Sequence, residues 1–124
     1  MEHIAFVIED NPDISNLFSR ALVAAGFQVS IISDGKEAIL RLKEESPSLI
    51  VLDMNMPYID GGTVLAYIRA TKHLKETKVI IATADAQFGE IHHHKADLFL
   101  QKPITFSQMR DFAERCKSNT TASK

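Results

Sequence analysis

The sequence predicts a single α/β domain in which five parallel strands alternate with five helices. Short apolar runs alternate with amphipathic segments along nearly the whole chain. The first, third and fourth runs are almost continuously apolar, which is typical of strands buried on both faces of a parallel sheet. This alternation indicates an open sheet with right-handed crossovers. Polar residues end every predicted strand except the second, at the edge where such sheets bind ligands.

Turn, cap and proline signals predict where each element begins and ends. The strands are predicted over 4–10, 28–33, 49–53, 79–84 and 97–103. The helices are predicted over 11–27, 34–46, the segment after Gly61, 84–96 and 105–118. Asn11 and Asp34 are good N-cap residues, and Thr105 with Gln108 forms a capping box. These residues predict the start of three helices.

Size and composition favour a globular domain without a nucleic-acid or membrane function. The chain has 124 residues, enough to bury one core, and a net charge of -2. That charge gives no electrostatic footprint for direct binding to nucleic acid or to an anionic membrane. No apolar stretch approaches the ~20 residues that span a bilayer. Cys116 is the single cysteine, so no intrachain disulfide is expected and a cytoplasmic location fits.

Three carboxylates are predicted at the edge of the sheet where the strands have their carboxyl ends. This edge is called the mouth of the sheet. Glu9 and Asp10 end the first strand, and Asp53 ends the third. If the strand order is 2-1-3-4-5, these two strands are neighbours, about 4.8 Å apart. At about 5 Å and an effective dielectric near 20, each pair of carboxylates repels by roughly 3 kcal/mol, which one ammonium group cannot offset. A divalent cation, Mg²⁺ or alternatively Mn²⁺, is therefore predicted, and Mg²⁺ in turn predicts a phosphoryl ligand.

Two further strand ends point into the same mouth. Thr83 lies near the end of the fourth strand, one strand away from Asp53, and Lys102 ends the fifth, two strands away. Lysine has the length to bridge that gap, whereas threonine does not. The candidate site therefore combines carboxylates, a hydroxyl and an ammonium group.

Four motifs occur in order at these strand ends, namely VIEDN, VLDMNMPYIDG, IIATA and LQKP. Together they resemble a response-regulator receiver domain, and the resemblance covers residues 3–117. It implies a flavodoxin-like (βα)5 doubly wound sandwich with a parallel sheet in the order 2-1-3-4-5. On this interpretation residues 1–117 form the receiver domain, and residues 118–124 are a polar C-terminal tail or the start of a linker.

The resemblance implies that Asp53 accepts a phosphoryl group. The donor would be a phosphohistidine on a sensor histidine kinase or a histidine phosphotransfer protein. Glu9, Asp10 and Asp53 would hold Mg²⁺ together with the backbone carbonyl of Asn55. Such a protein is a signalling switch in two-component or phosphorelay systems, not an enzyme acting on other molecules, although it promotes its own phosphorylation and dephosphorylation.

The resemblance also assigns roles around the acceptor. Thr83 would hydrogen-bond to the phosphoryl group, and Lys102 would pair with it beside a cis Lys102–Pro103 peptide bond. A carboxylate can accept a phosphoryl group as an acyl phosphate, and the reaction then depends mainly on positioning and charge neutralisation. Mg²⁺ and Lys102 would supply the charge, and Thr83 a neutral donor.

Thr83 and Phe99 are the predicted switch residues. In the family, the Ser or Thr moves toward the phosphoryl group and the aromatic residue turns inward, which changes the face formed by the fourth helix, fifth strand and fifth helix. Phe99 lacks the hydroxyl of the tyrosine often found there, so burial must select its rotamer. The resemblance also allows a phosphorylation-dependent homodimer and leaves the output partner open. Asn55 and Asp85 occupy positions that tune hydrolysis of the acyl phosphate.

Three other functions are compatible with an α/β domain that has an aspartate at a strand end. A phosphatase of the haloacid-dehalogenase type would carry a second aspartate where Asn55 stands. A flavin-binding module needs a phosphate-cradling loop after the first strand, where the acidic EDNPD would repel phosphate. A phosphorylation-independent receiver-like scaffold stays open as the main alternative. His92, His93 and His94 are consecutive and so do not share one helix face, which favours a solvated surface over a metal site.

Overall fold

The computed structural model describes residues 3–87 and 95–122, with side chains as far as Lys117. In this part of the chain the strands are β1 (Ile4–Ile8), β2 (Gln28–Ile32), β3 (Leu49–Leu52), β4 (Lys78–Thr83) and β5 (Leu98–Gln101). The α-helices are α1 (Pro12–Ala24), α2 (Gly35–Glu44), α3 (Gly61–Ala70) and α4 (Phe106–Ala122), and a 3-10 turn covers Lys72–Leu74. The predicted alternation of strands and helices is therefore present as far as β4, and a helix again follows β5.

The strands form one parallel sheet in the order β2-β1-β3-β4-β5. The predicted fold class and strand order are thus confirmed. In the register, Ile8 pairs with Leu52, and Leu52 pairs with Ile81. Because these partners lie level, the residues that follow β1 and β3 emerge side by side at one edge of the sheet.

Two hydrophobic layers enclose the sheet. Phe6 and Ile8 pack with α2 and α3 on one face, while Ala5 and Val7 pack with α1 and α4 on the other. Side chains alternate across a strand, so burial of the four side chains from Ala5 to Ile8 explains why β1 is continuously apolar. The core thereby fixes the central strands whose ends carry the site.

The predicted N-caps are confirmed. Asn11 Oδ1 accepts a hydrogen bond from the backbone of Ile14 at 3.1 Å, and Asp34 caps α2 in the same way. Thr105 and Gln108 bond reciprocally at 2.9 and 3.1 Å, as a capping box requires. Asp60, which the sequence analysis did not single out, caps α3.

Two helices differ from their predicted extents or cannot be compared with them. Helix α4 continues to Ala122, beyond the predicted end at 118, so the boundary drawn between domain and tail falls inside a helix. Most of the helix predicted over 84–96, with Gly89 and His92–His94, lies outside the described residues. No helix within residues 3–87 or 95–122 is long and apolar enough to cross a membrane.

Candidate functional site

The strand ends hold the candidate residues by their backbones. The backbone N–H groups of Glu9 and Asp53 donate to the last carbonyl of the neighbouring strand, at 3.0 Å in each case. The N–H group of Lys102 donates to Thr83 at 2.9 Å. Each ladder of hydrogen bonds therefore extends one residue beyond its strand. The side chains start from fixed positions instead of from free loops.

Glu9, Asp10 and Asp53 form the predicted acidic cluster. One carboxylate oxygen from each lies within 4.8 Å of the others. Glu9 and Asp53 are buried, at 2% and 5% exposure, whereas Asp10 is exposed. An oxygen-rich site with one open side suits a hard cation that keeps part of its water shell, as Mg²⁺ does. The donor set thus fits a divalent cation.

Burial raises the pKa of Asp53, because a carboxylate removed from water is less stable as an anion. The positive charge of Lys102, the backbone N–H of Asn55 at 3.3 Å and a hydrogen bond with Thr83 oppose this shift, while Asp10 adds to it. Burial also raises the pKa of Glu9, against the hydrogen bond from Lys102. The local protein groups therefore do not fully compensate the buried negative charge.

Lys102 bridges the mouth from the end of β5, as its length predicted. Its Nζ atom lies 3.7 Å from Asp53 Oδ1 and 2.7 Å from Glu9 Oε1. The peptide bond to Pro103 is cis. The closer contact is with Glu9, a pairing that the sequence analysis did not anticipate because it considered only the distance between Lys102 and Asp53.

The other predicted residues surround this centre at different depths. Thr83 is fully buried, and its Oγ1 accepts a hydrogen bond from the backbone of Asp85 at 3.2 Å. Asn55 and Asp85 are exposed on the two loops that border the acceptor. Phe99 is half-buried against the core cluster on the α2–α3 face. The structure gives their positions, whereas their roles stay predictions.

The loop after β3 is tightly constrained, which sequence reasoning missed. Gly61 donates a backbone hydrogen bond to Met54 at 3.0 Å, and a Cβ atom placed on Gly61 would collide with the carbonyl oxygen of Asp53. Only glycine allows this close approach. The Gly61-Gly62 pair is the sequence signal for this close approach.

Tyr58 occupies an unusual turn at the tip of the same loop. Its φ is 67°, and Ile59 donates to the carbonyl of Pro57 at 2.8 Å, which defines a γ-turn with a positive central φ. This turn is strained for a residue with a side chain. The ring of Tyr58 is fully exposed, so its own packing does not compensate the strain.

The family described as the response regulator receiver domain has a sequence model that matches residues 5–114. The chain belongs to this family. The receiver domain is 33% identical over 105 residues to the transcriptional regulatory protein PrrA of Mycobacterium leprae, covering 83% of this chain and 45% of PrrA. It is 28% identical over 121 residues to the polar-differentiation response regulator DivK of Brucella ovis, covering 95% of this chain and 96% of DivK.

A solved structure has the same fold. The signal receiver domain of a putative LuxO repressor protein from Vibrio parahaemolyticus superimposes with a TM-score of 0.84 at 24% identity, covering 100% of this chain and 99% of that one. Receiver domains of two-component systems are signalling switches that interact with histidine kinases and phosphotransfer proteins, and they bind Mg²⁺ at an acidic pocket. In this chain, Glu9, Asp10 and Asp53 form an acidic cluster that could hold a metal ion.

Proposed function

We propose that Asp53 is the phosphoacceptor of this receiver domain and takes its phosphoryl group from a histidine kinase or histidine phosphotransfer protein. The observation that carries the proposal is a buried carboxylate within 4.8 Å of two others and 3.7 Å from an ammonium group. In the transfer, the bond between phosphorus and the donor imidazole breaks as a bond from phosphorus to an Asp53 oxygen forms. The imidazole leaves with the bonding electron pair and is protonated from solvent.

Each neighbouring residue has a task in this transfer. Glu9, Asp10, Asp53 and the backbone carbonyl of Asn55 would hold Mg²⁺, which supplies positive charge for the phosphoryl oxygens when bound. Lys102 adds a second positive charge within reach of Asp53. Thr83 holds a buried hydroxyl beside the acceptor. Preorganised charge of this kind is the main requirement of phosphoryl transfer.

An apolar groove beside Lys102 suits docking of the donor. It has a volume of about 370 Å³, and α1 contributes Ile14 and Leu17 to one wall while Pro103 and Ile104 form the other. A donor helix seated there would bring its phosphohistidine to the mouth of the sheet. An amphipathic helix in an apolar groove is a common recognition mode.

The phosphorylated state would be read through Thr83 and Phe99. Movement of the buried hydroxyl toward a phosphoryl group would open space next to β4, and Phe99, half-buried on β5, would turn inward. The changed face would be formed by β5, α4 and the segment predicted as the fourth helix. That face would engage a downstream partner or a second copy of the chain.

The test is the intact-protein mass after incubation with acetyl phosphate. We expect one added phosphoryl group that requires Mg²⁺ and is absent from Asp53→Asn. Asp34→Asn is a matched control, because it changes an N-cap aspartate outside the cluster and should still be phosphorylated. The proposal would be rejected if neither acetyl phosphate nor a panel of histidine kinases phosphorylated the protein and if beryllofluoride did not bind. The protein would then be a phosphorylation-independent scaffold.

The lifetime of the acyl phosphate tests the roles of Asn55 and Asp85. Both residues are exposed and polar beside the acceptor, so water has access to the phosphoryl group. We expect the double variant Asn55→Leu with Asp85→Leu to lengthen the lifetime about tenfold, corresponding to a barrier higher by about 1.4 kcal/mol. Loss of the added mass over time gives the rate. An unchanged rate would show that the side chains of Asn55 and Asp85 do not influence hydrolysis of the acyl phosphate.

A further inference from the structure

The ammonium group of Lys102 is held by Glu9 more closely than by the acceptor. The Nζ atom is 2.7 Å from Glu9 Oε1 but 3.7 Å from Asp53 Oδ1. The side chains of Lys102 and Glu9 are 12% and 3% exposed, so solvent screens their contact weakly. A charge-assisted hydrogen bond of this length is among the stronger polar contacts in a protein. The pair joins the ends of β1 and β5 across the whole mouth.

Both carboxylate oxygens of Glu9 already accept a hydrogen bond. Oε1 accepts from Lys102, and Oε2 accepts from the backbone N–H of Asn11 at 3.1 Å. A hard cation that uses Glu9 as a ligand must therefore share or displace one of these donors. Lys102 is the charged one of the two, and its like charge makes sharing with a dication unfavourable.

Lys102 reaches Glu9 although Glu9 follows the strand further from β5. Glu9 and Asp53 both follow their strands directly, and each is anchored by the same kind of backbone hydrogen bond. From β1, Glu9 lies closer to the Lys102 ammonium group than Asp53 does from β3. The contact is made by two long side chains that meet across the intervening strand ends.

We propose that Lys102 competes with Mg²⁺ for the carboxylate of Glu9, so that Mg²⁺ binding frees the ammonium group to meet a phosphoryl group carried by Asp53. The inference rests on the proposed function in taking the acidic cluster as the Mg²⁺ site. Competition would make the lysine available to the phosphoryl group chiefly when the metal is bound. Lys102 would then lower Mg²⁺ affinity and link metal binding to phosphoryl transfer.

The first test compares Mg²⁺ affinity in Lys102→Met and Lys117→Met. Lys117 also has a bonded ammonium group, which donates to Ala25 at the end of α1, so its loss matches the charge change away from the mouth. We expect Lys102→Met to bind Mg²⁺ about tenfold more tightly than the wild type. Lys117→Met should stay within about twofold of it. The dissociation constants come from NMR titration of backbone amides with MgCl₂ at constant ionic strength.

A double variant separates competition at Glu9 from a general charge effect. If Lys102 acts through Glu9, its removal should give less than about a twofold gain in a Glu9→Gln background, since the contested carboxylate is already absent. A gain that stays near tenfold there would overturn the proposal, because the lysine would then act on the whole cluster.

The wild-type protein provides a test that needs no substitution. Reductive methylation of Lys102, followed by mass spectrometry of peptides, should be several-fold faster at saturating Mg²⁺, with Lys117 as the unaffected internal reference. Unchanged reactivity of Lys102 would overturn the proposal. Failure of the phosphoacceptor function would appear separately, as Mg²⁺ binding without an adduct on Asp53. If neither the wild type nor Lys102→Met binds Mg²⁺, the metal assignment and this inference both fail.

Discussion

Replacing Asp53 by asparagine should stabilise the domain, because the acceptor carboxylate is buried among like charges. With carboxylate oxygens within 4.8 Å of one another, each of its two neighbours repels it by about 3 kcal/mol at an effective dielectric of 20. Lys102, at 3.7 Å, returns about 4 kcal/mol. Solvent screening of the exposed Asp10 reduces the net repulsion, so neutralising Asp53 should raise the free energy of unfolding by about 1 kcal/mol. The amide oxygen can still accept the hydrogen bond from Asn55.

Thermal and urea unfolding without added Mg²⁺ measure this gain. About 1 kcal/mol corresponds to an increase in Tm of roughly 4 °C for a domain of this size. Asp34→Asn is the matched control, since asparagine caps a helix as well as aspartate does. If Asp53→Asn is no more stable than Asp34→Asn, the Asp53 carboxylate is not under the net repulsion that these distances predict.

The pH dependence gives the sign of the effect. Burial raises the folded-state pKa of Asp53 above the ordinary value of 3.8. As pH rises through the folded-state pKa of Asp53, the carboxyl group ionises and the wild type loses stability relative to Asp53→Asn. On acidification the group is protonated and the wild type regains this stability. We expect the advantage of Asp53→Asn to be largest near neutral pH and to shrink toward pH 3.8. An advantage that grows on acidification would contradict the assignment.

Two further predictions concern the loop that carries the acceptor. Tyr58→Gly should raise the free energy of unfolding by about 1 kcal/mol, since glycine adopts the positive φ without strain and the exposed ring contributes no packing. A loss of stability in urea unfolding would show that the ring makes contacts in solution. Gly61→Ala should lower the free energy of unfolding by about 3 kcal/mol, because the added Cβ would meet the backbone oxygen of Asp53. Stability within error of the wild type would mean that the loop moves aside freely.

Most of the fold could be predicted because its signals are local. Asn11, Asp34 and Thr105 mark helix starts through side chains that accept a hydrogen bond from the backbone three residues later, and such contacts are visible in sequence spacing. The continuous apolar runs indicate burial on both faces of the sheet without reference to any partner. The strand order followed from the family resemblance, since spacing alone left it conditional.

What the sequence analysis missed depends on atoms that are distant along the chain or on backbone geometry. Arg69 illustrates the first case: it bonds the carbonyls of Lys95 and Thr77 and the carboxylate of Asp97, and nothing in its own segment indicates these partners. Tyr58 illustrates the second, because tyrosine gives no signal for a positive φ. Tertiary structure sets both features.

The Glu9–Lys102 contact shows why residue types and strand order did not suffice to describe the site. Both residues were placed at the correct strand ends, and the reach of lysine across two strands was anticipated correctly. By residue type and strand order alone, the three acids are equivalent charges, and only the reach of Lys102 to Asp53 could be predicted. In the folded chain the shorter contact of Lys102 is with Glu9, at 2.7 Å. The tertiary arrangement of the strand ends therefore decides which carboxylate the lysine neutralises, and which one a metal ion would have to take from it.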